Sequence, residues 1–131
     1  MKKLFLDTSG YSGFKKGNPA ILEAIREADE IRLNPIVIGE LLSGFDGGRF
    51  AAVNRRELRD FLASEAVAVL PVTEETAERY AVIHRHLKER GTPIPANDLW
   101  IAASVMEAGT VLVTSDQHFL KVPQIQTLMI R

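Results

Sequence analysis

The sequence predicts an α/β fold, a three-layer α/β/α sandwich around a mostly parallel central sheet of four to five strands. Short apolar runs, Leu4-Phe5-Leu6 and Val111-Leu112-Val113 among them, alternate along the chain with longer amphipathic segments, the order expected of strand-helix-strand crossovers. Several amphipathic segments open on helix-capping residues, as in Asn18-Pro19 and Asn34-Pro35. The 131 residues, 46% of them apolar, are enough for one compact core without staples, and the lack of cysteine excludes disulfides.

Residues 3–6 read as a buried strand too brief to be a helix, and Asp7-Thr8-Ser9-Gly10 stops it with turn chemistry, placing Asp7 at a strand's carboxyl end. Asn18-Pro19 starts a helix whose Ile21, Leu22, Ile25 and Ala28 share a face. Residues 30–33 are the second strand. Asn34-Pro35 repeats the cap signal for a helix carrying Ile36, Val37, Glu40 and Leu41 and ending near Gly44, so Glu40 lies mid-helix. Residues 52–63 form another helix with Leu58, Phe61 and Leu62 inward, and 66–70 are the third strand. Thr73, with Glu74 and Glu75 behind it, opens a helix whose stripe is Thr76, Tyr80, Ile83 and Leu87, and Gly91 ends it. After Thr92-Pro93-Ile94-Pro95-Ala96, Asn97 or a close neighbour caps a deeply buried helix that runs to Gly109. Residues 111–114 and 126–130 supply the last two strands. The ligand crevice of such a sheet lies beyond the strands' carboxyl ends.

Charge and composition exclude several functional classes. With 16 basic and 17 acidic residues the net charge is -1, so any nucleic-acid binding needs a local basic patch. The apolar run at the amino terminus breaks off after Leu6, far short of a signal-peptide core, and no stretch approaches a membrane span, so a soluble, cytoplasmic protein is expected. Without cysteine, a metal would have to be held by oxygen or histidine.

Four carboxylates stand against apolar runs. Asp7 follows Leu4-Phe5-Leu6, Glu40 sits between Ile36-Val37-Ile38-Gly39 and Leu41-Leu42, Asp98 precedes Leu99-Trp100-Ile101, and Asp116 closes Val111 to Ser115. An isolated buried carboxylate protonates, pairs or binds metal. Singly, Asp7 and Asp116 fit turn residues and Asp98 a first-turn acid, whereas Glu40 has no basic residue three or four positions away. Jointly they point to one centre. At about 4 Å and an effective dielectric near 20, each pair repels by about 4 kcal/mol, which a hard divalent cation would neutralise.

Leu-Asp-Thr-Ser at 6–9, Pro-Ile-Val-Ile-Gly-Glu-Leu-Leu-Ser-Gly at 35–44, Asn-Asp-Leu-Trp-Ile-Ala-Ala at 97–103 and Leu-Val-Thr-Ser-Asp-Gln-His-Phe at 112–119 occur in that order. With them the chain resembles the PIN-domain ribonucleases, in particular the VapC-type toxins of bacterial and archaeal toxin-antitoxin pairs. The resemblance implies a single PIN-like nuclease domain over 1–131 and an endoribonuclease that uses Mg²⁺ or Mn²⁺, one ion or two. It makes Asp7, Glu40, Asp98 and Asp116 the catalytic and metal-binding cluster. Asp7 and Asp98 would be the principal ligands, with Glu40 and Asp116 binding directly, through water or at a second position. Ser9, and after it Thr8, would orient Asp7 or a metal water, and Thr114 would do likewise near Asp116. Asn97 would bond a neighbouring carboxylate or, the preferred reading, cap its helix. A metal-activated water would attack the phosphate in line and leave 5′-phosphate and 3′-hydroxyl ends. The implied partners are RNA, a VapB-like antitoxin wrapping the helices around 19–62, and a second copy in a homodimer.

Basic residues near the inferred crevice, Lys15, Lys16, Arg49, Arg55 and Arg56, are the candidates for RNA phosphates, and Phe14, Phe45 and Phe50 offer aromatic surface in the same segments. His84 and His86, at i and i+2, do not face each other and make no metal pair, and His118 reads as an ordinary loop residue. The competing reading is a non-catalytic module that binds RNA or protein through the same fold. A DNA-directed, structure-specific nuclease is a third, disfavoured because the chain is short for clamp or arch insertions.

Overall fold

A computed structural model describes residues 2–131. Its strands are β1 (Lys3–Leu6), β2 (Glu30–Leu33), β3 (Val67–Val69), β4 (Val111–Thr114) and β5 (Gln126–Met129). Its helices are α1 (Thr8–Lys15), α2 (Pro19–Glu27), α3 (Pro35–Phe45), α4 (Ala51–Leu62), α5 (Glu74–Arg90) and α6 (Ala96–Ala108), with a 3₁₀ turn at Gln117–Lys121. The sheet order is β3-β2-β1-β4-β5 and every neighbouring pair is parallel, so the expected mostly parallel sheet is wholly so.

This order positions the site. The chain steps outward from β1 to β2 to β3, then crosses back to β4 on the other side of β1. Right-handed crossovers in opposite directions put α1 to α4 on one face and α5 with α6 on the other, which makes the three layers. The strand order reverses between β1 and β4, and the crevice of a doubly wound sheet opens at the carboxyl ends of that pair. Leu6 stands opposite Val113, so Asp7 and Thr114 emerge side by side. Beneath them Phe5, Leu6, Leu33, Leu112 and Val113 are fully buried, as two-sided burial of a parallel sheet requires.

Capping chemistry explains most boundaries. Asn18 accepts from the Ala20 and Ile21 amides at 3.0 and 3.1 Å, and Gly91 and Gly109 end α5 and α6 with φ of 70° and 64°. Asn34 is fully buried and does two things: its Oδ1 accepts from the Val37 amide at 3.1 Å, and its Nδ2 donates to Ser104 Oγ at 2.8 Å, tying α3 to α6.

Three expectations are corrected. Asp7-Thr8-Ser9-Gly10 is no turn between strand and loop; it opens α1, with Asp7 as the N-cap. Gly10 and Gly13 hide this helix from propensity, yet both serve close packing, since a Cβ would lie 2.3 Å from the Val113 carbonyl oxygen at Gly10 and 2.4 Å from Ile21 Cδ1 at Gly13. Leu22, expected inward, is 43% exposed, and Ile21 carries the burial of α2. Asn97 does not cap α6; the cap position is Pro95 and Asn97 lies in the first turn. Among the described residues no helix is long and apolar enough to cross a membrane.

Candidate active site

Asp7 is 4% exposed and is held by three donors. Its Oδ1 accepts from the Gly10 amide and from Ser9 Oγ, both at 2.8 Å, and its Oδ2 accepts from Thr114 Oγ1 at 2.5 Å. Ser9 and Thr114 each spend their single hydroxyl proton on Asp7, so their oxygens are free to accept. The Ser115 amide donates to Ser9 Oγ and the Asp116 amide to Thr114 Oγ1, each at 2.9 Å. Two residues of the first turn of α1, one of β4 and the backbone beyond it thereby fix a single carboxylate.

Glu40, mid-α3 as expected, is half-buried and is held by neighbours on both sides. Thr8 Oγ1 donates to its Oε1 at 2.7 Å and Asn97 Nδ2 to its Oε2 at 3.2 Å. Thr8 therefore orients Glu40 and not Asp7, and Asn97 bonds a carboxylate in place of the cap role expected of it. Asp98, next to Asn97, has a side chain only 13% exposed, and its Oδ2 lies 2.8 Å from His118 Nδ1. Asp116 caps the 3₁₀ turn by accepting from the His118 amide at 2.9 Å, and the same Oδ1 is 3.2 Å from His118 Nδ1. The ring expected in an ordinary loop thus reaches two of the four acids.

The acids sense one another. Burial pushes the Asp7 carboxyl above its ordinary value; Thr114, Gly10 and Ser9 oppose this, and the charge of Asp116 adds to it. Asp98 is pushed up first by burial, opposed by its hydrogen bond to His118, and raised further by Asp116 and Glu40. Both directions mean that holding these carboxyls charged is unfavourable without compensating positive charge. The donor set consists of carboxylate oxygens with one imidazole and no thiolate, and donor atoms of Asp98, Asp116 and His118 lie within 4.8 Å of one another, so the residues fit a divalent cation.

The expected basic residues separate. Lys16 lines a groove that opens beside Ser9 and Ser115 and also includes Arg131, which the sequence reading missed. Lys15 pairs with Glu57, Arg55 with Asp46 at 2.8 Å, and Arg49 lies 5.5 Å above the Phe50 ring. Neither they nor Arg56 line that groove or the one bordered by Glu40 and Asn97. Phe14 packs on Tyr11 and Phe61, leaving Phe50, 60% exposed, as the free aromatic of the three.

Residues 4–125 match the family described as PIN domain. The sequence is 29% identical over 126 residues to ribonuclease VapC1 of Haemophilus influenzae strain R2866, covering 92% of each chain. The fold superposes on VapBC-1 from nontypeable Haemophilus influenzae with a TM-score of 0.84, 27% identity and 97% coverage of both chains. It also superposes on VapBC-5 of Mycobacterium tuberculosis, a member of the VapBC family of toxin-antitoxin systems, with a TM-score of 0.75 and 22% identity, covering 99% of this chain and 100% of that one.

Proposed function

The chain belongs to the PIN domain family, and from that footing we propose a divalent-metal-dependent endoribonuclease, the toxin of a type II toxin-antitoxin pair, with residues 1–131 a single nuclease domain. The observation that supports the reading is the grouping of Asp98 and Asp116 beyond the carboxyl ends of β1 and β4, with Asp7 feeling the charge of Asp116, Asp98 that of Asp116 and Glu40, and the carboxyls of Asp7 and Asp98 pushed upward first by burial. Asp7, Glu40, Asp98 and Asp116 would hold Mg²⁺ or Mn²⁺, one ion or two. When bound, such a cation supplies positive charge for a phosphodiester and lowers the pKa of water.

The chain's own residues divide the remaining work. Asp7 has three of its roughly four acceptor positions filled by protein donors, so it serves as the fixed point of the cluster and offers one lone pair. Thr8 and Asn97 aim Glu40 from opposite sides, and Ser9 and Thr114 keep Asp7 in place. In hydrolysis a water oxygen bonds to phosphorus as the P–O3′ bond breaks; the water gives up a proton and the departing 3′ oxygen takes one. Lys16 and Arg131, in the groove beside Ser9 and Ser115, would hold RNA phosphates against the repulsion of the acids, with Lys15, Arg49, Arg55 and Arg56 farther along the surface. The resemblance to VapBC assemblies supports a VapB-like antitoxin as partner, and the proposal includes a homodimer in a cytoplasmic setting.

The test is RNA cleavage by the purified chain with Mn²⁺ or Mg²⁺, with the ends sequenced. Cleavage leaving 5′-phosphates is expected, stopped by chelator and lowered at least about a hundredfold in Asp98→Asn. Unchanged cleavage by Asp98→Asn sinks the assignment. No cleavage together with no cation binding would leave a non-catalytic module.

A further inference from the structure

We infer that His118 is a nitrogen ligand of the candidate cation centre, so that this centre takes a first-row transition ion, Mn²⁺ foremost, in preference to Mg²⁺. The inference rests on the metal-dependent reading above and adds a donor outside the acidic quartet.

Geometry carries it. His118 Nδ1 lies 2.8 Å from Asp98 Oδ2 and 3.2 Å from Asp116 Oδ1. Adjacent donors around a six-coordinate ion with bonds near 2.1 Å stand about 3 Å apart, and the two observed separations bracket that edge length. A simple hydrogen bond accounts for less. Nδ1 carries at most one proton, which serves the contact to Asp98 and leaves the approach to Asp116 without a donor of its own, while Asp116 Oδ1 already accepts from the His118 amide at 2.9 Å. With the proton on Nε2, which a side chain 44% exposed can offer to water, the Nδ1 lone pair faces Asp98 Oδ2, with Asp116 Oδ1 3.2 Å away beside it.

The ring is also placed by the fold. Asp116 caps the 3₁₀ turn through the His118 amide, and the next residue, Phe119, is 1% exposed and anchors the turn in the core. His118 is thereby held over the acids from both ends. An oxygen-only set suits Mg²⁺, which keeps its waters and accepts nitrogen reluctantly, whereas an imidazole shifts preference toward Mn²⁺ and the ions after it.

The experiment titrates Mn²⁺ and Mg²⁺ separately into the full chain, wild type, His118→Ala, His118→Gln and Asp98→Asn, following free Mn²⁺ by electron paramagnetic resonance and Mg²⁺ by competition. Wild type should bind Mn²⁺ at least about tenfold more tightly than Mg²⁺. Both His118 variants should lose about 10- to 100-fold in Mn²⁺ affinity while Mg²⁺ affinity moves by less than about threefold. Pulsed resonance of the bound Mn²⁺ should show a ¹⁴N coupling in wild type that both variants lack. An unchanged Mn²⁺/Mg²⁺ ratio with no ¹⁴N coupling would overturn the inference and leave the metal-dependent reading standing. Failure of wild type to bind either ion would overturn that reading itself.

Discussion

At the amino edge of the sheet Lys2 reaches Glu27 at 2.5 Å and Lys3 reaches Glu30 at 3.7 Å, whereas at the carboxyl edge Asp116 bears on both Asp7 and Asp98, and among the described residues none of the three pairs with a lysine or arginine. The amino-edge charges are opposite in sign and exposed or half-exposed, and such pairs contribute little to stability. Those at the carboxyl edge are alike in sign and largely withdrawn from water, an arrangement that opposes folding. A fold keeps such an arrangement where charge has work to do on a ligand, so the contrast assigns surface solvation to one edge and chemistry to the other.

The most severe test of that contrast within the carboxyl edge is Thr114→Val. The fully buried hydroxyl donates to Asp7 and accepts from the Asp116 amide, so a nearly isosteric methyl frees both acids at once. RNA cleavage should fall about 10- to 100-fold, with Thr114→Ser retaining most of it. Full activity in Thr114→Val would show that the polar lattice is mere packing.

Next in size is Asn34→Ala, at a buried polar group that is neutral and bonded at both the oxygen and the nitrogen of its amide. It removes the α3 cap and leaves Ser104 Oγ without its donor, which should destabilise the chain by about 2 kcal/mol in urea unfolding. Because α3 carries Glu40 and α6 carries Asp98, the loss should be shared by cleavage. Ser104→Ala should cost less, since the cap survives.

These cases also show what could be read from the chain. The sheet and most helices were legible because cap pairs and short apolar runs are local signals, and the acids were legible because charge against apolar sequence is locally anomalous. Helix α1 was not, because Gly10 and Gly13 answer to the Val113 carbonyl and Ile21, contacts that exist only after folding. Asn97 meets Glu40 across 57 residues, and no pattern near position 97 announces that meeting. His118 left a faint trace in Asp-x-His-Phe, where a capping acid and a buried aromatic bracket the ring.

A smaller effect appears in the pH dependence of stability. The folded-state value of Asp7 is raised, so the native state holds this proton more tightly than the unfolded chain does. In chelator, its contribution to stability is full below the ordinary aspartate range near pH 4 and is lost as pH rises through the folded-state value. Asp7→Asn keeps a competent cap and removes the charge, so at pH 7 it should melt above wild type and show a shallower decline with pH, the remaining slope coming from Asp98. A lower melting temperature for Asp7→Asn would mean that the hydrogen bonds of Asp7 outweigh its burial.

The least effect is expected at the amino edge, from Glu27→Gln. Glu27 accepts from Lys2 Nζ, and the Lys2 backbone amide separately donates to Asp29 at 2.8 Å, so the strand's entry stays anchored when the ion pair is gone. Both partners of the pair lie in water, where screening and side-chain entropy cancel most of the attraction. Melting temperature and RNA cleavage should both match wild type. A rise in cleavage with unchanged melting, as Lys2 is released from its carboxylate, would mean that RNA also runs along the amino edge, where Lys2 and Lys3 would then serve phosphates and the division of labour between the two edges would fail.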